Sequence, residues 1–218
     1  MNRRAVSSGD ILLSVKDLSY GTPLGRPLIH HLSFDLQKGK IGLISGPNGQ
    51  GKSTLLKIIL GAHKPTSGTA VTRVSPRHIS YLPQMQNKSF HIPLLLREVI
   101  DFARPNRHVA EFEDDLSHLC LLSPTQRNIS WNEASGGERQ KALLSMALMS
   151  QSPLILLDEP LNHLDLEGKE RFTKALAYAS HIRQKTLLMV SHESELLDGL
   201  GDSLIPVPLQ TFAVRGHE

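Results

Sequence analysis

Residues 45–54 read SGPNGQGKST, three glycines ahead of a lysine and two hydroxyl side chains. A loop this rich in glycine is entropically costly to order, and what compensates is the close approach of bare backbone N–H groups to a large anion. Gly46, Pro47, Asn48, Gly49, Gln50, Gly51, Lys52 and Ser53 match G-x-x-x-x-G-K-[ST], a loop that cradles phosphates at a helix N-terminus. In that chemistry Lys52 reaches the β- and γ-phosphates, Ser53 ligates Mg²⁺, and the Thr54 hydroxyl or N–H holds the α-phosphate. Farther on, LILLDEP places Asp158 and Glu159 directly after an apolar run. A carboxylate there is expensive to desolvate unless a cation or a proton meets it. The division of labour that follows is Asp158 on Mg²⁺, directly or through water, and Glu159 as the base toward an attacking water.

Such groups need rigid elements behind them. Residues 11–20 and 32–36 alternate apolar and polar side chains and predict antiparallel strands joined by the turn-rich GTPLGRP. KIGLIS predicts a short buried strand, and KSTLLKIILGA a helix coated by Leu55, Leu56, Ile58, Ile59 and Leu60 and stopped at Gly61. The glycine loop therefore lies between a strand and a helix, as phosphate binding requires. HISYLP predicts another strand. From Leu94 to about Met149 the pattern is helical, interrupted near RPNR and around SPTQRNISWNEASGG. Buried strands return in SPLILLDEP and KTLLMVSHE, with an amphipathic helix over 167–183 between them. Strands alternating with helices predict parallel core strands with crossover helices. The tail SLIPVPLQTFAV reads as an edge strand, because Pro206 and Pro208 cannot donate to an interior ladder.

The gross composition fits one domain of 218 residues with 39% hydrophobic and 21% charged side chains. A net charge of +3 is spread among the acids without a basic stripe, so no direct contact with nucleic acid is expected. Arg3 and Arg4 precede no apolar segment of the signal-peptide kind, and no apolar run reaches the roughly 18 residues of a spanning helix. Cys120 is the sole cysteine, which excludes a disulfide framework and predicts a small buried thiol in a reducing cytosol. Trp131 and Tyr81 read as packing.

With the loop and the DE strand, three further stretches carry a resemblance to the ATP-binding cassette ATPases. ASGGE, Ala134 to Glu138, is similar to the family signature LSGGQ; YLPQ supplies a Q-loop glutamine, Gln84; and VSHE supplies a switch histidine, His192. Asp165, closing LNHLD, fits the D-loop. The resemblance implies an α/β fold of the P-loop NTPase kind, with a mixed core sheet, an antiparallel N-terminal β subdomain and a helical subdomain at about 94–150 carrying the signature. It implies that Ser135, Gly136 and Gly137 bind the γ-phosphate of ATP held by a partner subunit, two chains stacking head to tail around two nucleotides. Their hydroxyl and N–H groups at a positive helix end suit that role. It further implies that Glu159, His192, Gln84 and Lys52 are catalytic, Gln84 reaching Mg²⁺ or the water, and that Tyr20 stacks on adenine.

Within the family, SYLPQMQNKSFHIPLLLREVI and the glutamate of SGGE resemble the ATPases of zinc and manganese importers. That resemblance implies a second ATPase copy or a paralogue, an integral membrane permease, a substrate-binding protein, and a place on the cytoplasmic face of the cell membrane. SFHIPLLL would then form an exposed docking groove. Other small-solute importers and haem-type exporters share the remaining features. EPLNHLD is similar to a ribosome-associated branch of soluble ATPases, but the helical insert has the size of one that docks a membrane subunit.

Overall fold

The first layer is set by alternation along two long strands, β1 (Ile11–Gly21) and β2 (Pro27–Gln37), which pair antiparallel. The computed structural model describes residues 10–22, 25, 27–47, 49–85, 93–104, 106–207 and 209. β1 buries Leu13 and Val15 and then, one position out of phase, Leu18. The register with β2 shifts between Val15 and Leu18, and Asp17 takes a left-handed φ of 46°. A bulge at this point keeps both halves of the strand facing the core despite the break in period. β4 (Ser67–Thr72) completes a three-stranded antiparallel sheet in the order β2-β1-β4.

The second sheet is the core. β3 (Ile41–Ile44), β5 (Ile79–Leu82), β6 (Leu154–Asp158), β7 (Thr186–Val190) and β8 (Leu204–Val207) lie in the order β5-β6-β7-β3-β8, and every pairing is parallel. Among the described residues no antiparallel strand mixes into this sheet. β6 and β7 are buried at every residue, as their unbroken apolar runs require when both faces are covered. Ile155, Leu157, Leu187 and Met189 face one core, and Leu154, Leu156, Leu188 and Val190 the other. β8 occupies the edge with Pro206 in it, where the missing donor is tolerated.

Helices cover both faces. α1 (Lys52–Ile59) buries Leu55, Leu56, Ile58 and Ile59 against the outer sheet's side. On the opposite face lie α2 (Leu96–Asp101), α3 (Val109–Leu119), α4 (Gly136–Met149) and α5 (Leu166–His181). Phe112 and Phe172, both 0% exposed, are the largest side chains wholly enclosed among the described residues. Trp131 packs in the same cluster under the Arg139 guanidinium, 5.8 Å from its ring. Among the described residues no helix is long and apolar enough to cross a membrane.

Cys120 departs from expectation. It is exposed, at the left-handed C-cap of α3 with φ 50°. Its neighbours Leu116, Leu119, Leu121 and Leu122 take the buried positions on this stretch, so the turn that ends the helix leaves the thiol outside. Asn48 and residues 86–92, which include much of SFHIPLLL, lie outside the described residues.

Because all core strands run the same way, their carboxyl ends share one edge: the glycine loop after β3, Gln84 after β5, Asp158 closing β6 and His192 after β7. The topology alone gathers these residues from across the chain. Truncating Phe172 to Ala should cost about 3–5 kcal/mol by leaving a cavity in the core on the helical face of the sheet. Urea unfolding followed by the fluorescence of Trp131, the single tryptophan, measures it.

Candidate active site

A cleft of about 500 Å³ opens at the carboxyl edge, and Gly49, Gly51, Lys52, Ser53, Thr54, Gln84, Glu159 and His192 line it together with Leu28 and Asn162. The glycine loop enters it through Gly51, which caps α1 at φ 86°. A Cβ there would stand 3.1 Å from the Leu28 Cβ in a conformation other residues resist. α1 has no side-chain cap, so its first N–H groups have no protein oxygen from a capping residue. These donors and the helix dipole make the cleft floor positive.

Lys52 is buried and its Nζ donates to the Gly46 carbonyl at 2.6 Å and the Pro47 carbonyl at 2.8 Å. Burial pulls its pKa below the usual 10.5, with Glu159 and Asp158 opposing the fall. Within the same loop the Gln50 Oε1 is buried without a hydrogen-bond partner among the described residues.

Ser53 Oγ donates to Asp158 Oδ1 at 2.9 Å, which links the first turn of α1 to the end of β6 across 105 positions of sequence. Tyr81, on the adjacent strand β5, brings its hydroxyl to 3.4 Å from Asp158 Oδ2. Burial and the charge of Asp158 push that phenol up to about 12. Tyr81 packs against the core on the outer-sheet side, as expected, and its hydroxyl has this second contact besides. Its parallel pairing with Leu156 places it beside the carboxylates, a neighbourhood that spacing along the chain does not reveal.

Glu159 turns out of the strand at φ 51°, a left-handed conformation that costs a non-glycine residue about 1–3 kcal/mol. Its N–H still donates to the Val190 carbonyl at 3.1 Å, and the turn sends the side chain into the cleft, where Oε1 lies 2.7 Å from His192 Nε2. Burial raises the Glu159 pKa above 4.5; the charges of His192 and Lys52 resist the rise, and Asp158 adds to it.

Ser135, Gly137 and Asp165 line a different cavity of about 420 Å³, together with Gln126, Glu138, Lys141 and His163. The two cavities share no lining residue. Ser135 caps α4 in a reciprocal box with Glu138: the Glu138 N–H donates to Ser135 Oγ at 3.2 Å, and the Ser135 N–H donates to Glu138 Oε2 at 2.9 Å. Hydrogen bonds from the Ser135 N–H and hydroxyl hold the Glu138 carboxyl below its ordinary value. The S-x-x-E spacing of Ser135 and Glu138 is the sequence pattern of such a capping box. Gly136 lies beside His163, and at Gly137 a Cβ would stand 2.9 Å from the His163 carbonyl, so the signature turn and the D-loop are in near contact. Asp165 caps α5 by accepting from the Gly168 N–H at 2.9 Å, and Lys141 Nζ stands 3.5 Å from it.

Tyr20 lies in neither cavity's lining. It is half-buried against the outer-sheet core, its ring 5.8 Å from that of His63.

The family model described as ABC transporter matches residues 29–162. The zinc import ATP-binding protein ZnuC of Vibrio vulnificus is 35% identical over 89% of this chain and 72% of its own length. The ZnuC of Rickettsia bellii is 34% identical over 76% of this chain and 70% of its own. Among solved structures, an inward-facing transporter described as of metal-chelate type superposes with a TM-score of 0.73 at 26% identity, covering 93% of this chain and 82% of the other.

The Glu159 geometry has a consequence for stability. The folded protein holds that proton more tightly than the unfolded chain, so the contribution is full below pH about 4.5 and is lost as pH rises through the raised folded value. Glu159→Gln removes the loss. Without nucleotide, the variant should melt above the wild type at pH 7.5, and the gap should close toward pH 4 in calorimetric scans.

Proposed function

The chain belongs to the ABC transporter family, and from that premise we propose that it is the ATP-hydrolysing subunit of a membrane importer for a metal ion of the zinc or manganese kind. The observation that carries the ATPase reading is the convergence in one cleft of the buried Lys52, the Ser53–Asp158 pair and the Glu159–His192 pair. The metal assignment rests on the relatives named as zinc import proteins.

The donor set suits Mg²⁺: a hydroxyl and a carboxylate oxygen stand side by side, and the Gln84 amide lines the same cleft. Hard oxygen ligands of this kind fit a hard divalent cation. Ser53, Asp158 and Gln84 would hold it, and when bound it neutralises phosphate charge. The protein supplies positioning and electrostatics. The N–H groups at Gly46, Asn48, Gly49, Gln50 and Gly51 have no formal charge of their own, and Pro47 between them has no N–H and only shapes the loop, so Lys52 brings the point charge for the phosphates, and Thr54 adds a further donor in the first turn of α1. Glu159 takes the proton of the attacking water. Its raised pKa makes it a stronger base than an exposed carboxylate. His192, 2.7 Å away, fixes its orientation and offers a donor to developing charge. Tyr20 offers a ring for the base to stack on.

The separation of the two cavities supports a dimer. Ser135, Gly136, Gly137 and Asp165 do not reach the cleft of their own chain, so a site using both halves needs a second copy or a paralogue. Closing and opening of that dimer with ATP and ADP would drive an integral permease from the cytoplasmic face, with a binding protein delivering the ion. The helices within 94–150 form the part that meets the permease.

Glu159→Gln should bind ATP and hydrolyse it at least about tenfold more slowly. With MgATP it should be dimeric by light scattering and with ADP largely monomeric, while adding Ser135→Arg abolishes the dimer and spares nucleotide binding. Wild-type turnover in Glu159→Gln, or a dimer that survives Ser135→Arg, contradicts the scheme. The metal reading has its own test: deleting the gene should raise the zinc or manganese needed for growth in chelator-treated medium. Wild-type protein should restore growth and Glu159→Gln should not; growth indifferent to both metals removes the metal assignment and leaves the ATPase intact.

A further inference from the structure

A further cavity of about 290 Å³ lies between α3, the C-terminal end of α4 and α5, and shares no residue with the nucleotide cleft or the signature cavity. Three cationic side chains line it, Arg107, Arg183 and Lys185, against a single carboxylate, Asp115. That carboxylate is fully engaged. Tyr178 donates its hydroxyl to Oδ1 at 2.6 Å, Arg107 donates to Oδ2, and Arg183 stands 3.2 Å from the same oxygen. Burial alone would raise its pKa, but the Tyr178 and Arg107 hydrogen bonds and the two guanidinium charges outweigh burial and hold it ionised. The next carboxylate on α3, Asp114, is exposed and pairs with His118.

Lys185 has no ion-pair partner among the described residues. Its Nζ donates to two carbonyls, Ser150 at 2.8 Å and Ser152 at 3.1 Å. Burial first, then the charges of Arg183 and Arg107, pull it down to about 8, with Asp115 opposing. The Ser150 hydroxyl, in the same lining, is buried and without a hydrogen-bond partner among the described residues. Surplus positive charge inside a protein is costly unless an anion meets it.

We propose that this cavity binds a small phosphate-bearing anion, held by Arg107, Arg183 and Lys185 with the Ser150 hydroxyl as a further donor. A phosphate dianion matches the two positive charges in surplus, and its oxygens suit the planar fork of arginine. The volume leaves room beside the phosphate for a short organic body. A ligand there would touch α3 and Ser150 on one side and α5 and Lys185 on the other, bracing the helices of 94–150 against the core.

Thermal unfolding in a Lys52→Ala background, which removes the phosphate loop's ammonium, tests this with inorganic phosphate against sodium chloride of matched ionic strength. Phosphate should raise Tm by about 3 °C more than the chloride at about ten times its dissociation constant. Lys185→Met and the half-exposed Arg183→Gln should each abolish that difference, with Lys185→Met melting no lower than its parent in chloride. Glycerol 3-phosphate binding more tightly than phosphate supports an organic phosphate, and weaker binding supports the inorganic ion. No effect of phosphate beyond chloride at about 20 mM, or a shift that persists in both variants, overturns the proposal.

Discussion

Two adjacent carboxylates, Asp158 and Glu159, are buried at the end of a strand whose every residue is enclosed, and the rest of the site follows from that constraint. Desolvating such charges is costly, so the protein must bring donors to them from elsewhere. It does so in two directions. Ser53 and Tyr81 turn toward Asp158 from α1 and β5, while the left-handed turn at Glu159 hands the second carboxylate to His192. Lys52 adds a buried charge of opposite sign nearby, and the coupling is mutual: each side's burial disfavours its charge and the other's presence restores it. The site is thus poised for a highly charged ligand and a proton acceptor at once, which is the electrostatic requirement of phosphoryl transfer to water.

The signature cavity is built on the opposite logic. Nothing there is deeply buried; order comes from local caps. Ser135 with Glu138 closes the start of α4, and Asp165 closes the start of α5, so two helix N-termini and the D-loop are fixed by short hydrogen bonds within a few residues of each other. Such a surface can be rigid without a partner and still be complemented by one. The glutamate in SGGE has a structural explanation, since its carboxylate accepts from the Ser135 backbone and hydroxyl. It also places a negative charge beside the Ser135 hydroxyl, a feature that any phosphate approaching this cavity encounters.

Charge is balanced differently in the α3–α5 cavity. There one carboxylate organises two guanidinium groups and a phenol, and the amine of Lys185 stays outside the arrangement. The contrast with the nucleotide cleft is instructive. In the cleft each carboxylate is met by donors from other elements, and in this cavity cations outnumber the one carboxylate that faces them.

Much of this was legible in the sequence for simple physical reasons. Glycine spacing ahead of Lys52, unbroken apolar runs before Asp158 and His192, and period-two alternation in β1 are local patterns, and local patterns determine strands, helices and the loop between them. Cys120 and Tyr81 mark the limit. Whether a residue at a helix end is enclosed depends on which neighbours take the apolar face, and the chain direction at the C-cap of α3 sent the thiol to solvent. Tyr81 meets Asp158 because β5 and β6 pair in parallel, 77 residues apart in sequence. The cluster of Arg107, Asp115, Tyr178 and Lys185 is likewise invisible along the chain, each member reading as an ordinary surface side chain on its own helix or loop. The local sequence sets most strands and helices and the chemical character of the glycine loop, because those depend on neighbours a few bonds away. Which charges share a cavity is settled by packing, because burial and Coulomb energy depend on distances through space that the arrangement of parallel strands and helices sets.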